Sequence, residues 1–80
     1  MKAEKLKVKL LSGNLTSWSF ADACHLARHC GWKNSRISGI HHIFTHPRNE
    51  IGTLNIQNKK GEAKPYQMRQ MLEQIQSHHL

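Results

Sequence analysis

Apolar positions recur along this chain with two different periods. Leu6 and Leu10, with Val8 or Leu11 beside them, space out as one side of a short helix over 3–11, and lysines at 2, 5, 7 and 9 occupy the rest. The stretch SGNLTS at 12–17 reads as a loop. Ser19 can then cap a second helix, because Asp22 stands three positions on, where an acid favours the exposed amides of a helix start. Phe20, Ala23, Cys24, Ala27 and Cys30 recur at helical spacing, and Gly31 is a natural stop. The pattern next shortens to strand-like runs at 32–38 and 40–46, joined by a turn at Gly39 and closed by Pro47, which cannot donate to a ladder. A turn at 47–50 leads to a third strand over 51–57. NKKGEAK at 58–64 is a basic loop. Pro65 suits the first turn of a last helix that packs Tyr66, Met68, Met71, Leu72 and Ile75 and ends near Ser77.

This order of elements predicts an α+β fold in two layers, α-β-β-β-α with an extra N-terminal helix. The helices cover one face of a small antiparallel sheet and leave the other face open. Eighty residues suit one domain over 1–80, with its core at about 19–78 and a leading helix and loop at 1–18. A chain of this size buries only about 60% of its unfolded surface, so each large apolar residue matters. Trp18 and Trp32 are therefore expected to fill the core or cover a helix end rather than stack on a base. No apolar run approaches the roughly 20 residues that span a bilayer. No long apolar stretch or small-residue cleavage site follows MKAEKLKVKLL, so the expected setting is cytoplasmic. Reduced thiols fit that setting, and Cys24 and Cys30 do not share one helical face, which argues against a disulfide between them.

Charge narrows the function. Twelve Lys and Arg face five Asp and Glu, giving a net charge of +7, and seven histidines add groups that titrate near neutrality. Such a chain attracts polyanions. Strand alternation through GIHHIFTH puts Ile40, His42, Phe44 and His46 on one face and His41, Ile43 and Thr45 on the other. Phe44 is the large apolar member, so its face should meet the helices, and His41 should project from the open face. A histidine there on a basic protein suits RNA cleavage. RNA carries its own nucleophile, the 2′-hydroxyl, so an imidazole and nearby cations suffice without a metal or other cofactor. Lys59, Lys60, Lys64 and Arg69 surround the start of the last helix, whose free amides favour phosphate. Arg36 on the first strand can reach the open face beside His41. Two other readings compete. Cys24, His25, His29 and Cys30 cluster as metal-ligand types, although the cysteines fit the apolar stripe and no C-x-x-C spacing exists. A non-catalytic RNA-binding domain would need the same basic face and fold.

The stretch RISGIHHIFTHP, followed by an apolar strand and GEAKPYQMRQMLEQI, resembles the HicA family of bacterial toxins. The matching pieces are Gly39, His41, His42, Ile43, Phe44, His46 and Pro47, then Lys64, Pro65, Tyr66, Gln67, Arg69 and Gln70, and the likeness runs from about Phe20 to Ile75. The resemblance implies a double-stranded-RNA-binding-like fold, ribosome-independent cleavage of mRNA, and neutralisation by a HicB-type antitoxin. In the family the essential histidine follows a Gly-Ser pair, which places it on His41; where members set it one position later, His42 corresponds. One departure stands out: Ile40 replaces the family serine, and isoleucine offers no hydroxyl to a phosphate or a turn. The combined expectation is a metal-independent endoribonuclease with His41 as general base or acid and His42 as an orienting partner or the base itself. Lys59, Lys60, Lys64, Arg69 and Arg36 would contact RNA, and an acidic antitoxin surface would cover the open face.

Overall fold

The computed structural model describes residues 2–80. Its elements are α1 (Ala3–Leu11), α2 (Phe20–His29), β1 (Lys33–Ser38), β2 (His41–Thr45), β3 (Leu54–Gln57) and α3 (Pro65–His78). Local chemistry accounts for the boundaries. Ser19 Oγ accepts from the amide of Asp22 at 3.0 Å and starts α2. Gly31 ends it with φ +106°, and a Cβ there would fall 2.5 Å from His46 Nε2, so both the backbone and the space require glycine. Pro65 opens α3.

The three strands are antiparallel in the order β1-β2-β3. Register pairs Ser38 with His41, Ile37 with His42 and Arg36 with Ile43, then slips, so that Asn34 faces Phe44. Ser35 is the extra residue of a bulge, and its hydroxyl donates to the Ile43 carbonyl at 3.2 Å. On the far side, His41 pairs with Gln57 and Ile43 with Asn55. Phe44, Leu54 and Ile56 line the helix-covered face and share one core with Ala23, Leu26 and Ala27 of α2 and Met68, Met71 and Ile75 of α3. Leu6 and Leu10 of α1 join this core, with Trp18 and Trp32. Each buried indole satisfies its N–H, Trp18 on the Asn14 carbonyl and Trp32 on the Gly52 carbonyl, both at 2.9 Å. The result is the two-layer α-β-β-β-α arrangement of a double-stranded-RNA-binding-like domain, with α1 added in front.

Several packing expectations need correction. Neither Val8 nor Leu11 extends the apolar side of α1: they are 65% and 43% exposed, because α1 rests on α2 and α3 through the narrow Leu6–Leu10 stripe alone. Leu26 completes the buried stripe of α2. Tyr66 is 56% exposed, and Gln67 takes the inward position at 2%. The third strand begins at Leu54 rather than 51; Ile51 is buried within the preceding turn. Ile40 belongs to the β1–β2 turn.

The inward glutamine has a structural purpose. Gln67 Oε1 accepts the backbone N–H of Gln57 at 2.8 Å, and two helical turns later Gln74 Oε1 accepts that of Gly52 at 3.1 Å. Two side-chain amides of α3 thus satisfy one backbone donor at the end of β3 and one in the segment before it.

The contrast within α1 gives a direct check. Leu10→Ala should destabilise the domain by about 2–5 kcal/mol in urea unfolding. Val8→Ala, on the same helix, should stay within about 0.5 kcal/mol.

Candidate functional site

His41 opens β2, and its side chain lies half-buried on the uncovered sheet face. Its neighbours come from β3. Asn55 Oδ1 stands 3.2 Å from His41 Nδ1, while the Gln57 side-chain nitrogen stands 3.2 Å from Nδ1 and 3.4 Å from Nε2. Asn55 therefore supplies an acceptor and Gln57 a donor. With its proton on Nδ1, the ring donates to Asn55 and keeps a lone pair on Nε2. When Nε2 gains a proton, the bond to Asn55 persists and supports the imidazolium. With the tautomer reversed, Gln57 can donate to Nδ1. The ring thus has a partner in each state that acid–base chemistry visits. Aiming the Gln57 NH2 at the ring leaves its Oε1 buried without a partner among the described residues.

His42 points the other way. It meets Phe20 edge-on, with ring centroids 4.6 Å apart. Asn34, with its amide turned to satisfy both ends, accepts from His42 Nδ1 at 3.2 Å and donates to the carbonyls of Arg36 and Ile43 at 3.2 and 3.3 Å. His42 is thereby tied to the β1 bulge on the helix-covered side. The two histidines lie on opposite faces of one strand and do not converge on a common point.

The lysines are mounted more rigidly than a basic loop suggests. Lys59 and Glu62 exchange two backbone hydrogen bonds of 3.0 Å around Lys60 and Gly61, both at positive φ. This is a two-residue hairpin turn of the kind that needs left-handed backbone at both central positions. Asn58 Oδ1 accepts from the Gly61 amide at 2.8 Å. The Phe20 amide donates to the Gly61 carbonyl, and the Ala63 amide to the Trp18 carbonyl, fastening the hairpin to the start of α2. The Asn58 amide donates to the Ile40 carbonyl, next to His41. Lys59, Lys60 and Lys64 line a groove of about 520 Å³ together with Glu62, Ala63, Pro65 and Tyr66. Arg69 lies outside that lining, one turn beyond Tyr66 on the exposed side of α3. Arg36 is exposed, and its register opposite Ile43 puts it on the His41 face.

Asn55 and Gln57 are absent from the sequence-based expectations, and Gln67 appears there only within the likeness to a toxin family. Alternation along β3 groups Asn55 with Gln57, but only the cross-strand register brings them to His41. Gln67 and Gln74 flank the Met68–Met71–Ile75 stripe seven residues apart, which is the one trace of their shared task.

The cysteine–histidine cluster is not assembled. Cys24 is buried in the core, His25 is exposed, and His29 Nε2 pairs with Glu4 of α1 at 2.7 Å. Among the described residues no group of three or more His, Cys, Asp or Glu is placed to hold a metal ion. Both cysteines are free thiols. No helix among the described residues is long and apolar enough to cross a membrane.

These features define a small, basic α+β domain whose sheet presents one open face. A family model described as the HicA toxin of bacterial toxin–antitoxin matches residues 20–76, and the chain belongs to that toxin family. A comparison with curated proteins finds no match, and neither does one with solved structures.

Burial raises the Cys24 thiol from its ordinary 9.0 to about 11, against a smaller lowering by the Arg28 guanidinium. The unfolded chain loses this proton first as pH rises. Stability linked to the thiol should therefore be complete below about pH 9 and fall towards 11. Urea midpoints across this range should drop less for Cys24→Ala than for the parent.

Proposed function

We propose that this toxin is a metal-independent endoribonuclease acting on mRNA, with His41 as its catalytic base. The observation that carries the reading is a histidine on the open sheet face, held between an acceptor and a donor from β3, the strand that leads into the lysine-lined groove. His41 Nε2 takes the proton of an RNA 2′-hydroxyl as that oxygen attacks the adjacent phosphorus. The bond to the 5′-oxygen breaks, and the leaving oxygen takes a proton from the imidazolium or from water. The products are a 2′,3′-cyclic phosphate and a 5′-hydroxyl. Lys59, Lys60, Lys64 and Arg69 hold phosphates, with Arg36 approaching from β1, and stabilise the charge that develops on the non-bridging oxygens. His42 serves as a positioning residue that fixes the strand from its covered side.

Membership of a toxin–antitoxin family supports a HicB-type antitoxin as the protein partner. The open face around His41 is the surface it would cover, and the net charge of +7 favours an acidic contact. Cytoplasmic action follows from an mRNA substrate.

The test is cleavage of RNA in EDTA by the parent and by His41→Ala. Cleavage by the parent should persist, DNA of the same sequence should survive, and His41→Ala should lose about 10²–10⁴-fold in rate while still binding RNA. One observation favours a second reading: Ile40, 51% exposed, stands where the family has serine. Binding without cleavage by either protein would make this chain an RNA-binding domain of the same fold.

A further inference from the structure

Tyr66 has no place in the mechanism above, yet its environment is specific. The ring is more than half exposed on the wall of the lysine groove, next to Pro65 and Ala63. Its hydroxyl accepts from Gln67 Nε2 at 3.3 Å, and Lys64 Nζ lies 5.9 Å from the ring centroid. The Gln67 oxygen in turn holds the Gln57 amide at 2.8 Å, and the Gln57 side chain touches His41. A relay of contacts thus links the groove to the histidine, through the Gln67 side chain and then the backbone and side chain of Gln57. Gln67, its middle member, is buried, which fixes the spacing between the two ends.

We infer that the groove is a subsite for an unpaired nucleotide of the RNA, with its base stacked on Tyr66 and its phosphates on Lys59, Lys60 and Lys64. This rests on the ribonuclease reading and adds to it the kind of RNA that is taken. Three ammonium groups and one carboxylate, Glu62, line the groove, so its charge suits a phosphodiester chain. Its aromatic and proline wall suits a flat, apolar face. A base offers that face only when it is not stacked within a duplex, and aromatic stacking accepts any base. The fold is of a type associated with double-stranded RNA, but this groove selects single-stranded segments.

Binding of a 2′-O-methyl oligonucleotide tests this without cleavage, because the nucleophile is blocked whichever residue acts as base. Tyr66→Ala should weaken a single-stranded octamer roughly 5- to 100-fold. Tyr66→Phe should bind within about twofold of the parent, since it keeps the stacking face. An abasic octamer, or the octamer annealed to its complement, should bind the parent and Tyr66→Ala equally. Ring signals of the single tyrosine should shift on adding the single strand. The proposal falls if Tyr66→Ala binds the single strand as the parent does, or loses the abasic strand equally. It also falls if a polyglutamate peptide binds the parent as tightly with the same dependence on Tyr66, which would assign the groove to an acidic protein segment. A cleavage assay on unmodified RNA reads out the ribonuclease proposal separately, so either can fail alone.

Discussion

The arrangement turns on one buried side-chain amide. Among the described residues Gln67 is the only polar one buried in the core, and its oxygen meets the backbone N–H of Gln57. A buried donor left unpaired costs about 1–3 kcal/mol, a large share of the stability of a small domain. That bond fixes α3 along β3. In doing so it fixes what hangs from both: the groove at the head of the helix and the glutamine that faces His41. Hydrophobic contact alone would let α3 slide or roll by small amounts on its flexible methionines. A directional bond to a single backbone atom does not.

The same economy of parts shapes the site. One strand serves two purposes because its alternate residues face apart. His41 stays available on the open side, while His42 packs against Phe20 and holds Asn34 across the bulge. The lysines gain their effect from the hairpin beneath them. Charges on a floppy loop must be ordered before they meet a phosphate, whereas these are already held by backbone bonds to α2. Preorganised cations of this kind stabilise charge that appears during a reaction without first having to move.

Much of this was legible in the sequence, because helices and strands announce themselves through period and end signals. Ser19 with Asp22, Gly31, Gly39, Pro47 and Pro65 marked the breaks, and alternation through β2 separated His41 from His42. The misreadings in the helices had a common cause, the angle at which each residue stands around its axis. Val8 stands about 200° around the helix from both Leu6 and Leu10, Leu11 about 100° on from Leu10, and Tyr66 about 200° from Met68, so all three stay exposed. The polar partners of His41 depended on register across the sheet, which rests on long-range pairing that no local pattern encodes.

The two rims of the sheet are treated differently. On the β3 side, Gln67 of α3 occupies the backbone amide of Gln57, and Gln74 that of Gly52 just before the strand. β1 has no such cover, and all six of its residues are exposed. What guards it is its irregularity: the extra residue at Ser35 breaks the spacing of its free amides and carbonyls, and Lys33 and Arg36 repel an identical copy. A chain with so thin an interior and one bare rim can thereby accumulate without zipping into copies of itself.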